Sequence, residues 1–121
     1  MMTMTDTITI YHNPRCSKSR ETLALLESKG VTPTIVEYLK NPPSVAEIKQ
    51  LLKALGFSDA RQLMRSKEDI YKELGLGNDA LTQEQLIQAM HDNPKLIERP
   101  IVVKGKTAKL GRPPEQVLDV L

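Results

Sequence analysis

Within its first forty residues the chain changes hydrophobic period twice. Thr7 to Tyr11 reads Thr-Ile-Thr-Ile-Tyr, with Ile8 and Ile10 alternating against threonine, the composition and spacing of a strand. His12-Asn13-Pro14 stops it. From Ser17 onward Leu23, Leu25 and Leu26 supply an apolar face, charged residues fill other positions, and Gly30 stands where a helix C-terminal cap belongs. Thr34 to Leu39 then returns to strand composition. A strand, a helix and a strand joined this closely imply a right-handed crossover with parallel pairing, so these residues predict one βαβ unit.

The middle of the chain has almost no strand signal. Ser44 followed three residues later by Glu47 is a capping box that opens a helix through about Leu55, ended by Gly56. Further helical segments are predicted at Ala60 to Met64, at Glu68 to Leu74, and after the Thr82 to Gln85 capping box, until Asn93-Pro94 breaks the last. Ile101-Val102-Val103 and Thr107 to Leu110, joined at Gly105, read as a β-hairpin. Pro113 and Pro114 open a final helix running to Leu121. The predicted order is βαβ, helices, ββ, α. It defines an α/β, thioredoxin-like, three-layer fold with a helical insert at about residues 44–93. At 121 residues the chain is expected to form one domain, 1–121, around one core.

Charge narrows the function classes. Seventeen basic and 15 acidic residues give a net charge of +2, too balanced for the electrostatic footprint of nucleic-acid binding. The N-terminal Met-Met-Thr-Met-Thr-Asp carries neither a basic cluster nor an apolar segment of signal-peptide type, and no run approaches the roughly 18 apolar residues of a membrane helix. The expectation is a soluble, cytoplasmic protein with no membrane and no nucleic-acid partner. A metal site is not expected, because one cysteine and two distant histidines lack ligand spacing, and no Gly-rich phosphate loop is present.

Cys16 is the only cysteine, so no internal disulfide can form. It falls where the first strand hands over to the first helix, and the amides of Ser17, Lys18 and Ser19 should point at its sulfur. Unpaired amides and the positive end of the helix dipole favour thiolate over thiol. Arg15, Lys18 and Arg20 lie within four residues and act in the same direction. Cys16-Ser17-Lys18-Ser19 is a monothiol version of the Cys-x-x-Cys redox motif, so an external thiol must complete any turnover through a mixed disulfide. Ser19 is either a hydrogen-bond donor to the sulfur or an ordinary first-turn residue. His12 either tunes the thiolate or caps the turn through its ring.

Glu98-Arg99-Pro100-Ile101 places a proline directly before a strand and, in this fold, opposite the cysteine loop. Pro100 is therefore a cis-proline candidate, with Arg99 pointing towards Cys16. Gly111-Arg112-Pro113-Pro114 fixes another arginine at the entrance to the last helix, and Arg65 closes a helical segment of the insert. Taken singly each arginine fits a solvated surface residue. Together, Arg65, Arg99 and Arg112 could converge on one tetrahedral oxyanion through paired, charge-assisted hydrogen bonds. His91 is expected as an exposed helix residue.

Three blocks carry a resemblance: His12-Asn13-Pro14-x-Cys16-x-x-Ser19-Arg20, Glu98-Arg99-Pro100-Ile101-Val102-Val103 and Gly111-Arg112-Pro113, with Tyr38-Leu39-x-Asn41-Pro42-Pro43 between them. In this order they resemble the glutaredoxin-coupled arsenate reductase family called ArsC over nearly the whole chain. The loop Arg15-Cys16-Ser17-Lys18-Ser19-Arg20 looks closest to its YfgD-like branch and adds two cations to the pocket. The resemblance implies a thioredoxin-like fold with a helical insert, Cys16 as catalytic cysteine, His12, Ser19 and Arg20 as its support, and Arg65, Arg99 and Arg112 as the oxyanion site. It further implies reduction of arsenate to arsenite through a covalent Cys16 adduct, with glutathione as co-substrate, glutaredoxin as partner, no bound cofactor, and a monomer. Two other readings are a glutathione-dependent monothiol oxidoreductase acting on protein mixed disulfides, and a regulatory binding module like the more distant Spx proteins that touch RNA polymerase. Spx-like regulators often carry a Cys-x-x-Cys switch, and Ser19 stands in place of its second cysteine here.

Overall fold

The computed structural model describes residues 7–121. They divide into two compact units, one made of residues 7–37 with Arg99–Leu121 and the other of Tyr38–Glu98.

The first unit contains β1 (Ile8–Tyr11), α1 (Ser17–Ser28), β2 (Thr34–Val36), β3 (Ile101–Lys104), β4 (Thr107–Leu110) and a C-terminal 3₁₀ helix, Pro114–Val120. Its sheet has the order β2-β1-β3-β4. β1 pairs parallel with β2, as a βαβ crossover requires, and antiparallel with β3, while β3 and β4 form the hairpin. Lys104 pairs with Thr107, so Gly105 and Lys106 close that hairpin, and Gly105 supplies the positive φ of 61° at the first central position. Ile10 on β1 is directly opposite Val102 on β3. These two side chains join Leu26 of α1 and Val117 and Val120 of the C-terminal helix in one buried core, flanked by Ile8, Leu23, Leu25 and Val31.

Two predicted elements differ in this unit. β2 was expected to reach Leu39 and stops at Val36. The reason lies in its neighbour: β1 ends at Tyr11, opposite Val36, and His12 gives one last amide bond to the Val36 carbonyl (2.8 Å) before the chain turns into the cysteine loop. Beyond that point no strand remains for β2 to pair with. The last helix has 3₁₀ rather than α geometry, with the Gln116 amide donating to the Pro113 carbonyl. Its buried residues Pro114, Val117 and Val120 recur every three positions, which a three-residue turn aligns on one face.

The second unit holds α2 (Val45–Leu55), a 3₁₀ turn at Ala60–Leu63, α3 (Asp69–Glu73), α4 (Gln83–Asp92) and a 3₁₀ turn at Pro94–Leu96. Both predicted capping boxes are present, Ser44 with Glu47 and Thr82 with Gln85. Ile48, Leu51 and Leu52 of α2 and Leu86, Ile87 and Met90 of α4 are buried. Lys49 pairs with Glu84 (2.7 Å) between the two helices. His91, expected to be exposed, is half-buried, and its Nδ1 is 2.8 Å from the Pro43 carbonyl, tying α4 to the turn before α2. Among the described residues no helix is long and apolar enough to cross a membrane, and no group of three or more His, Cys, Asp or Glu side chains is placed to hold a metal ion.

Candidate active site

The loop from His12 to Cys16 is held largely by one residue. Asn13 accepts the Arg15 amide on its side-chain oxygen (3.0 Å), accepts the Cys16 amide on its carbonyl (3.0 Å), and donates its own amide to Ser19 Oγ (3.0 Å). An Asx-turn before Pro14 thus folds the chain back so that Cys16 becomes the N-cap of α1. The N-cap position normally belongs to an oxygen-bearing side chain that satisfies the first helical amides. No side chain closes this turn with a capping hydrogen bond, and the first turn contains no acidic residue.

The consequence is electrostatic. Cys16 is half-buried, and that burial pushes the thiol up as the largest single influence. Against it act the Ser19 amide, the positive charge of Arg99, the Lys18 amide and a hydrogen bond from the Arg99 guanidinium to the sulfur. Together they outweigh burial and hold the thiol below its ordinary value.

The side chains of Ser19 and His12 bond to each other. Ser19 is buried, and its hydroxyl lies 2.6 Å from His12 Nδ1 while accepting the Asn13 amide. With the ring neutral, Ser19 donates to Nδ1, an assignment made from the hydrogen-bond network. The serine acts on the sulfur through its backbone amide, whereas its hydroxyl fastens the loop to the end of β1. Burial lowers the pKa of His12, Glu37 raises it, and Arg20 lowers it, for a net depression. Arg20 is exposed and donates from Nη1 to the Pro14 carbonyl (2.9 Å), so it buttresses the same loop.

The sign of the His12 shift makes a prediction. A base with a depressed folded pKa contributes stability that is complete above its unfolded value of about 6.5 and is lost as pH falls through the folded value. Protonation would also turn Nδ1 into a donor and take away the acceptor of the Ser19 hydroxyl proton. Denaturant midpoints should therefore fall between about pH 7 and pH 5. His12→Asn should flatten that slope, and an equal slope in both proteins would refute the assignment.

Arg99 and Arg112 are brought together at the mouth of the hairpin. The Arg99–Pro100 peptide is cis, as is Arg112–Pro113. Arg112 donates from Nε to the Arg99 carbonyl (2.9 Å), and the Gly111 amide donates to the Pro100 carbonyl (2.9 Å). Cys16, Arg99 and Arg112 thus belong to one unit. Arg65 belongs to the other, where its guanidinium lies 3.5 Å from Glu68 and 4.0 Å from Glu98, and its amide donates to the Leu96 carbonyl (2.7 Å). Asn13 was quoted in the sequence pattern but its threefold role was not foreseen; an Asn-Pro turn signal three residues before the cysteine was the available clue.

A sheet of this order, with a half-buried cysteine at the start of α1 whose thiol is held below its ordinary value, defines a thioredoxin-like protein. The model of the ArsC family matches residues 11–120, and the chain belongs to that family. It is 60% identical to YfgD of Escherichia coli (strain K12) over 118 residues, 98% of this chain and 99% of that one. It is 54% identical to the arsenate reductase of Haemophilus influenzae, covering 94% of this chain and 98% of the relative. Among solved structures, the arsenate reductase from Vibrio cholerae superposes with a TM-score of 0.95 at 54% identity, covering 98% of this chain and all of that one (100%).

Proposed function

We propose that this protein is an arsenate reductase that uses glutathione and glutaredoxin as its source of electrons. The observation that carries the reading is the Cys16 thiol, held below its ordinary pKa at a helix N-terminus with the Arg99 guanidinium hydrogen-bonded to the sulfur. That arrangement puts a nucleophile and a planar cation on the same side of an incoming tetrahedral oxyanion. The names of the Haemophilus influenzae and Vibrio cholerae relatives supply the oxyanion.

The reaction follows from these groups. Arsenate is held by Arg99 and by the guanidinium fork of Arg112, and the Cys16 thiolate attacks arsenic. A sulfur–arsenic bond forms and one arsenate oxygen leaves as water after taking up protons. The arginines stabilise the charge that builds on the remaining oxygens. Glutathione thiolate then attacks the Cys16 sulfur, a disulfide forms, and the sulfur–arsenic bond breaks with its electron pair passing to arsenic. Arsenic(V) becomes arsenic(III), and two thiols become one disulfide. Glutaredoxin releases Cys16 by thiol exchange, since a chain with no second cysteine must hand its mixed disulfide to an external thiol.

Steady-state oxidation of NADPH in the presence of arsenate, glutathione, glutaredoxin and glutathione reductase tests the reading. Turnover that requires each component is expected. Turnover indifferent to glutathione, or none with arsenate, would refute it. Arsenate should also protect Cys16 from alkylation, as a ligand seated on the sulfur must.

A further inference from the structure

Gly111 stands one residue beyond β4, and its neighbour Leu110 is paired with Ile101 at the start of β3. The Gly111 amide is fixed on the Pro100 carbonyl. A side-chain carbon at position 111 would fall 2.7 Å from Pro100 Cγ and 3.1 Å from Thr22 Cγ2, and would press hardest on Thr22 Oγ1. Ordinary carbon–carbon contact is about 3.5–4.0 Å, so the glycine fills a place that no other residue can occupy without something moving by about an ångström. Thr22 is buried on the face of α1 that also carries Ser19 and Leu26, and its hydroxyl is spent on the Lys18 carbonyl (2.8 Å). It follows Cys16 by six residues, about 9 Å along the helix axis. Positive φ does not explain this glycine, whose need is for space alone.

We infer that Gly111 and Thr22 form a positioning pair for the reacting sulfur: the absent side chain lets the Arg99–Pro100 segment close on α1, and this closure sets the reach of the Arg99 guanidinium to Cys16. The pair touches no reacting atom. Either α1, which carries the sulfur at its first residue, or Pro100, which follows Arg99 directly, must yield if the space is filled. Either movement would disturb the hydrogen bond from Arg99 to the sulfur, and the inference expects it to lengthen. The inference rests on the thiolate reading of Cys16 and goes beyond it by assigning what holds the cation in place.

The readout is the Cys16 pKa, taken from the pH dependence of iodoacetamide alkylation, with circular dichroism confirming the fold. Gly111→Ala should raise it, lowering the alkylation rate about tenfold below the ordinary thiol pKa if the rise is one full unit. Gly111→Ala/Thr22→Ala, which removes two of the three crowding atoms, should recover at least part of that loss. In an Arg99→Ala background Gly111→Ala should cause no further rise, because the arginine it displaces is already gone. A folded Gly111→Ala protein with an unchanged pKa, no recovery in the Thr22 double variant, or a full additional rise in the Arg99→Ala background would each overturn the inference. If Gly111→Ala does not fold, Thr22→Ile adds a methylene on the helix side of the same contact and should raise the pKa, an unchanged value in a folded protein being again fatal. An ordinary pKa in the unsubstituted protein would instead remove the thiolate reading itself, and the positioning pair with it.

Discussion

Cys16→Ser is expected to lower arsenate turnover by at least about a thousandfold, the loss usual when the nucleophile of a covalent mechanism is replaced by a weaker one. A serine hydroxyl at the N-cap can still satisfy helical amides, and Ser is in fact a favoured N-cap. The variant should therefore fold and remain as stable as the parent or more so. That separation of effects makes it informative: activity lost with the melting temperature kept places the chemistry on the sulfur. Turnover within tenfold of the parent would mean that electrons reach arsenic by another path.

Arg99→Ala is expected to act twice. Loss of the guanidinium removes both the charge and the hydrogen bond that lower the Cys16 pKa, leaving the Ser19 and Lys18 amides to oppose the burial that raises it. The thiolate fraction at neutral pH then falls. Loss of a charge-assisted donor to the developing oxyanion adds about 10²–10³ in kcat/KM, or roughly 3–4 kcal/mol of transition-state stabilisation. The two effects are separable, since raising the pH restores the thiolate but not the oxyanion contact. The pH–rate profile of Arg99→Ala should shift to higher pH and also lie below the parent at its plateau. A profile that shifts and then reaches the parent plateau would confine Arg99 to tuning the thiol. Arg99→Lys keeps a charge but not the planar fork, and should recover the pKa more fully than the plateau.

The elements that follow from local chemistry were legible before any coordinates. The two capping boxes need only a hydroxyl and a carboxamide or carboxylate three residues apart, and both are found where that spacing occurs. The βαβ start follows from period alone. Glu37-Tyr38-Leu39 has strand composition and predicts a longer β2, yet strand length is decided by the partner, and β1 runs out at Tyr11. Pro113 and Pro114 suit either helix type and so predict an α-helix as readily as a 3₁₀ one, whereas the spacing of Pro114, Val117 and Val120 favours the tighter turn.

The candidate site was legible in its residues and less so in their connections. Cys16, Arg99 and Arg112 stand out as types. Nothing in the chain announces that Ser19 spends its hydroxyl on His12 and Asn13, because that depends on how the loop before α1 folds back, or that Arg112 holds the Arg99 carbonyl, because the hairpin alone brings those two together. Thr22 left a faint sign, a small polar residue three positions after Ser19 and four before Leu26, and so on their face of the helix.

The fastening of Ser19 bears on why this chain works with one sulfur. A resolving cysteine at that position would convert the loop to a dithiol that closes its own disulfide, with an external reductant needed only to reopen it. A thiol, however, accepts a main-chain proton poorly and is bulkier than a hydroxyl. The Asn13 amide and the imidazole of His12 would both lose their anchor, and the geometry that makes Cys16 reactive would loosen with them. The single sulfur is thus tied to the masonry of the loop, and a second could be gained only by rebuilding the wall that supports the first.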